Sequence, residues 1–102
     1  MAQIVLDLQP QVADKFNTYI KLFGNEELMF DRFIDYHISR LKREITRMQS
    51  SLNKYEEKYN MKSDDFYRLF NEGKYGDEKD YMLWAGIYEL QMNSKQKLEQ
   101  LI

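Results

Sequence analysis

The chain has 102 residues, of which 43% are hydrophobic, 15% aromatic and 31% charged, with no cysteine and one proline. A single domain of this length buries roughly two-thirds of its unfolded surface, so a small core is expected. Charged residues interrupt every apolar run well before the roughly 20 residues that a membrane span needs, and no signal peptide is visible. The lack of cysteine excludes disulfides and cysteine-bound metals and favours a cytoplasmic location. A net charge of −2 provides no general attraction to nucleic acid.

Residues 3–8 are the first predicted element, and their pattern differs from the rest of the chain. Two sets of side chains alternate here: Ile4, Leu6 and Leu8 on one face, and Gln3, Val5 and Asp7 on the other. A period of two is typical of a strand with one buried face. No second strand is visible downstream, so the strand is expected to pair with a copy of itself. The sequence therefore predicts a homodimer.

A helix, a tight turn and a second helix follow. Pro10 is expected at the first helical position, where a missing N–H costs nothing, and Gly24 is expected to end the helix. Asn25 is then predicted to cap the next helix, with Glu26 and Glu27 placed favourably at its positive end.

The second helix is predicted to run unbroken to Asn60, because neither glycine nor proline interrupts it after Asn25. At 1.5 Å per residue it would be about 50 Å long. Apolar residues recur in it at alternating steps of four and three, which is typical of a coiled-coil-like seam: Ile34, Ile38, Leu41, Ile45, Met48, Leu52, Tyr55 and Tyr59. The dimer interface is predicted to combine the strand residues Ile4, Leu6 and Leu8 with the seam residues Ile34, Ile38, Leu41, Ile45, Met48 and Leu52.

Two further helices are predicted in the C-terminal third, where they would cover the long helix. Ser63 is expected to cap a short helix that Gly73 closes. Asp77 is expected to open the last helix, with Asp80 completing a variant of the capping box.

Aromatic residues crowd this C-terminal region. Phe66, Phe70 and Trp84 are expected to close over the long helix. Tyrosine combines a large apolar area with a polar hydroxyl and suits protein interfaces. Candidates for a partner-binding surface are therefore Tyr67, Tyr75 and Tyr88.

The order strand, helix, glycine turn, helix in the first 45 residues resembles the ribbon-helix-helix superfamily. The residues that carry the resemblance are Ile4, Leu6, Leu8, Pro10, Gly24, Asn25 and the stripe Phe30, Phe33, Ile34 and Ile38. The resemblance implies a mainly α fold with a short N-terminal strand, a helix-turn-long helix unit and two C-terminal helices, assembled as an intertwined homodimer. Residues 1–45 would form the dimerisation core. Residues 46–102 would continue the long helix and add an aromatic-rich cover, the whole being one continuous structural unit.

In that superfamily, alternate strand residues read the major groove of DNA, and the matching positions are Gln3, Val5 and Asp7. Gln3 suits an adenine edge, but Val5 is inert and Asp7 repels phosphate unless it accepts from a cytosine amine. A basic flank on the long helix adds further candidates for DNA contact: Arg40, Arg43 and Arg47. Solvated charge on a helix flank is the favoured explanation of these arginines, because charge runs usually belong to solvated faces.

The C-terminal extension is similar to that of small antitoxin-like proteins, which implies a toxin-like partner. The leading hypothesis is a non-enzymatic, dimeric protein-binding module that neutralises such a partner, with autoregulatory DNA binding as an added role. The alternatives are a dimeric transcriptional regulator and a purely structural helical assembly protein. No cofactor and no metal are expected, since the one histidine, His37, lies beside the apolar seam and no catalytic constellation can be assembled.

Overall fold

The structure is a computed structural model that describes all 102 residues. All of its regular secondary structure is α-helical, which confirms the mainly α prediction. The four helices are α1 (Pro10–Phe23), α2 (Glu26–Tyr59), α3 (Ser63–Asn71) and α4 (Lys79–Leu101).

The predicted N-terminal strand, and with it the ribbon-helix-helix-like fold, are wrong. Residues 1–9 have no regular secondary structure. Ile4 and Leu6 are 84% and 57% exposed. A strand requires a neighbour for its backbone N–H and C=O groups, and the chain contains no other strand. Alternating apolar side chains give a segment one apolar face, but they provide no hydrogen-bond partner for its backbone N–H and C=O groups.

The chain forms two compact units, Met1–Asp35 and Tyr36–Ile102. The boundary expected from the sequence lay after residue 45, within one continuous structural unit. Helix α2 begins in the first unit and continues through the second.

In the first unit, local signals set the helix ends as predicted. Pro10 opens α1, and Gly24 ends it with a φ of 85°, a backbone angle that glycine adopts without steric cost. The Gly24 N–H donates to the Ile20 carbonyl over 2.7 Å. Asn25 caps α2, because its Oδ1 accepts from the N–H of Leu28 at 3.0 Å.

The second unit contains the hydrophobic core, which is built around two stacked rings. Phe66 of α3 and Trp84 of α4 lie 3.8 Å apart between centroids and are nearly parallel, at 2°. Both are almost fully buried, together with Leu52 of α2 and Ala85 of α4. The core therefore joins α2, α3 and α4, as the sequence analysis expected for Phe66 and Trp84.

Two side-chain hydrogen bonds in this core explain why Ser63 does not cap α3. Its Oγ accepts from the Trp84 indole N–H at 2.9 Å, and its backbone N–H donates to Glu56 Oε2 at 2.8 Å. Ser63 is the first residue of α3, and Lys62 at the N-cap makes no side-chain cap bond. The predicted cap is wrong because the serine hydroxyl satisfies the buried indole instead.

Gln91 is a buried polar residue that the sequence analysis missed. It is 2% exposed. Its Nε2 donates to the carbonyl of Ile45 at 3.1 Å and to Gln49 Oε1 at 3.0 Å. The amide thus connects the middle of α4 to α2, and it has the partners that burial of a polar group requires.

Removing the buried ring of Phe66 should unfold the second unit easily. We expect Phe66→Ala to lower the free energy of unfolding by about 3–5 kcal/mol, because the substitution leaves a cavity beside Trp84. Urea denaturation followed by tryptophan fluorescence measures this loss. Leu90→Ala is the matched control: Leu90 is 60% exposed on α4, so a change within about 0.5 kcal/mol is expected. Similar losses in both variants would contradict this account of the core.

Candidate interaction site

An apolar groove lies between α1 and the beginning of α2, within the first unit. Its volume is about 640 Å³. The rings of Phe16 and Phe30 are half-buried in the helix pair, with centroids 5.3 Å apart. The side chains that line the groove are Phe16, Tyr19, Phe23, Asn25, Leu28, Met29, Phe30, Arg32 and Phe33.

None of the 35 residues of the first unit is classed as buried. The groove residues Tyr19, Phe23 and Leu28 are 48%, 66% and 44% exposed. Val12 and Leu22 of α1 do not line the groove and are also exposed, at 50% and 73%. Exposed apolar patches of more than a few hundred Å² are typical of protein-interaction sites and ligand-binding grooves.

Sequence spacing identified most of α1's apolar residues but not their exposure. Five apolar residues of α1 recur at helical spacing: Val12, Phe16, Tyr19, Ile20 and Phe23. In the structure Phe16 and Ile20 are half-buried, whereas the other three are exposed. Leu22 lies off this stripe and is the most exposed apolar residue of α1. Leu22, an apolar residue outside the predicted buried face, was the indication in the sequence that α1 exposes apolar surface.

Polar side chains play a small part in the groove. Besides the Tyr19 hydroxyl, Asn25 and Arg32 supply its only polar side-chain groups, and Asn25 Oδ1 is occupied by the N-cap bond. None of the three ion pairs of the chain involves a residue of the first unit. The groove is therefore suited to apolar side chains rather than to a polar substrate.

The structure separates the DNA-contact candidates into two groups. Gln3, Val5 and Asp7 are exposed in the segment without secondary structure, so the strand that would aim them into a groove of DNA is absent. Arg40, Arg43 and Arg47 are exposed on α2. Arg40 Nε pairs with Glu44 Oε1 at 3.2 Å within the same helix.

The dimer-interface candidates differ widely in exposure. Ile4, Leu6, Leu8 and Ile34 are exposed, whereas Ile38, Leu41, Ile45 and Met48 are half-buried. Leu52 is 1% exposed and belongs to the core of its own chain. Its side chain therefore has no surface left for a second copy.

The three tyrosines predicted for a partner surface lie at the edge of the second unit's core and are half-buried. Tyr67 and Tyr88 contact one another with ring centroids 4.8 Å apart. Burial raises the pKa of Tyr88, and the nearby Asp64 carboxylate adds to that increase. The Tyr75 ring lies 5.1 Å from Phe66. These rings mainly complete the chain's own core.

A polar cluster joins the end of α2 to the start of α4. Asp80 Oδ2 accepts from Lys58 Nζ and from the Tyr59 hydroxyl, each at 2.6 Å. The hydrogen bond from Lys58, followed by that from Tyr59, lowers the pKa of Asp80, and the Asp80 carboxylate raises the pKa of both donors. Asp80 accepts these two hydrogen bonds, and no side chain caps the start of α4, so the predicted capping box is wrong. Helix α4 begins at Lys79, after Glu78 at the N-cap.

The structure contains neither a metal-binding cluster nor a membrane-spanning helix. No group of three or more histidine, cysteine, aspartate or glutamate side chains is placed to hold a metal ion. His37 is half-buried on α2. None of the four helices is both long and apolar enough to cross a membrane.

Acid should weaken the second unit by protonating Asp80. Because the folded chain lowers the pKa of Asp80, its contribution to stability is present above the ordinary pKa of an aspartate and is lost as the pH falls through the lowered value. We expect Asp80→Asn to lower the urea midpoint at neutral pH and to reduce the further loss on acidification to about pH 3.

Asp77→Asn provides the control for this prediction. Asp77 is exposed, lies three residues earlier and makes no ion pair. Its variant should follow the pH dependence of the unmodified chain. If Asp80→Asn also follows that dependence, the cluster contributes nothing to acid sensitivity.

Comparison of the chain with protein-family models, with curated proteins and with solved structures finds no match in any of the three. The resemblance to the ribbon-helix-helix superfamily therefore rests only on the residues quoted for it. The strand predicted for Ile4, Leu6 and Leu8 is absent from the structure.

Proposed function

We propose that this chain is a non-enzymatic helical protein-binding module whose N-terminal unit, Met1–Asp35, is the binding surface. The observation that carries the proposal is that this unit buries no residue while it exposes large apolar side chains around a groove. Covering a Leu, Phe or Val side chain contributes about 1.5–3 kcal/mol. Binding a protein partner would supply the burial that the unit lacks.

The extent of the apolar surface favours a protein over a small molecule. A pocket of this volume could hold a small ligand. Such a ligand would leave Val12 and Leu22 exposed, however, because neither lines the groove. A protein surface can cover the groove and these neighbouring side chains together.

The toxin-neutralising hypothesis proposes a toxin-like protein as one class of partner for the chain. Autoregulatory DNA binding is not part of the proposal, because Gln3, Val5 and Asp7 lack the strand that would present them. A cytoplasmic location belongs to the proposal and is based on the absence of cysteine.

Site-specific photocrosslinking in the cells that produce the chain tests this proposal. Phe23, 66% exposed at the groove, is replaced by p-benzoylphenylalanine. We expect crosslinking to one defined polypeptide, and we expect Leu22→Asp to abolish it, because a carboxylate would be desolvated in the interface. The same photoreactive residue at Leu90 of α4, also exposed, is the control and should not capture that polypeptide. Equal capture from Phe23 and Leu90, or none from Phe23, would contradict the proposal.

A further inference from the structure

We infer that the N-terminal unit binds a second copy of this chain, face to face, through α1 and residues 26–35 of α2. This inference rests on the proposed function, since it names the occupant of the same surface. Two helical hairpins, one from each copy, would form a four-helix bundle whose interior contains both grooves. A two-fold axis would place the same surface on both sides of the interface.

The size of the unit is the first argument. With 35 residues, it lies below the roughly 40 residues under which folding usually requires disulfides, metals or association. The chain has no cysteine and no group of side chains placed to hold a metal ion. Association is the means that the unit retains for burying its apolar residues.

The exposed apolar area is the second argument. A buried aromatic side chain covers about 150–250 Å², so a half-exposed one offers on the order of 100 Å². Seven apolar residues of α1 and residues 26–35 are at least 44% exposed, among them Val12, Leu22, Phe23 and Phe33. At about 100 Å² each they offer about 700 Å², close to the roughly 800 Å² per partner that a standard stable interface buries.

Charge complementarity is the third argument and favours a second copy over an unrelated chain. Helix α1 carries two lysines and one aspartate, whereas residues 26–35 of α2 carry four carboxylates and one arginine. None of these residues forms an ion pair within the chain. With the two-fold axis parallel to the helices, α1 of each copy packs beside α2 of the other, so opposite charges meet twice.

Helical spacing identifies the pair that should meet. Lys15 precedes Tyr19 by four residues and Leu22 by seven, which places it beside the exposed apolar residues of α1. Asp35 follows Leu28 by seven residues and shares its side of α2. The inferred interface therefore brings Lys15 of each copy close to Asp35 of the other.

Sedimentation equilibrium of the full chain tests the inference. We expect a monomer–dimer equilibrium for the unmodified chain, and an increase of about a hundredfold or more in the dimer dissociation constant for Leu22→Asp. Leu90→Asp, at an exposed site on α4, should leave the constant within about twofold. A chain that stays monomeric up to about 200 μM would overturn the inference. So would a dimer that Leu90→Asp dissociates and Leu22→Asp does not.

A charge exchange tests the face-to-face arrangement itself. Lys15→Glu and Asp35→Lys should each weaken the dimer severalfold at low salt, because each places like charges together. The double variant should restore the dissociation constant to within about twofold of the original. A double variant weaker than either single one would overturn this arrangement.

The crosslinking experiment separates failure of this inference from failure of the proposed function. A chain that is monomeric in solution but crosslinks through position 23 to a different protein overturns the second-copy inference and leaves protein binding standing. A monomeric chain that crosslinks to nothing overturns both.

Discussion

The face-to-face contact of Phe66 with Trp84 is the interaction around which the second unit is organised. It joins α3 to α4 over a centroid separation of 3.8 Å. Helix α2 adds Leu52 below 2% exposure and the Tyr55 ring, which stacks on Trp84 at 5.7 Å. The Trp84 indole N–H needs an acceptor once it is buried, and Ser63 provides one. Removing either ring would therefore open contacts among three helices at once.

The first unit has no equivalent of this ring pair, and the proposed function depends on this difference between the units. Its aromatic contacts, such as Phe16 with Phe30 and Tyr19 with Phe23, leave every residue at least partly open to solvent. Isolated short helices are marginally stable in water, because most helical stability in proteins comes from packing of an apolar face. Order in the first unit should then depend on what covers it. A binding surface of this kind links folding to association.

Sequence alone predicted the features that depend on neighbouring residues. Pro10, Gly24 and Asn25 act through local backbone geometry, and each lies where expected. The predictions for Ser63 and Asp80 were wrong because distant partners, Trp84 and Lys58, take their side chains. The strand prediction was wrong for a related reason: pairing needs a second strand, and period-two spacing does not provide one. Helical spacing in α1 located apolar residues of the candidate site, but spacing cannot distinguish residues covered by their own chain from residues that another chain would cover.

Amide hydrogen exchange at a series of protein concentrations tests the central claim most directly, because it reports each helix separately. We expect protection of α1 amides to rise with protein concentration, while amides of α4 around Trp84 are equally protected at every concentration. The second unit thereby serves as the internal control. If α1 amides are as strongly protected as those of α4 at the lowest concentration, the first unit is stable without a partner and the account is wrong.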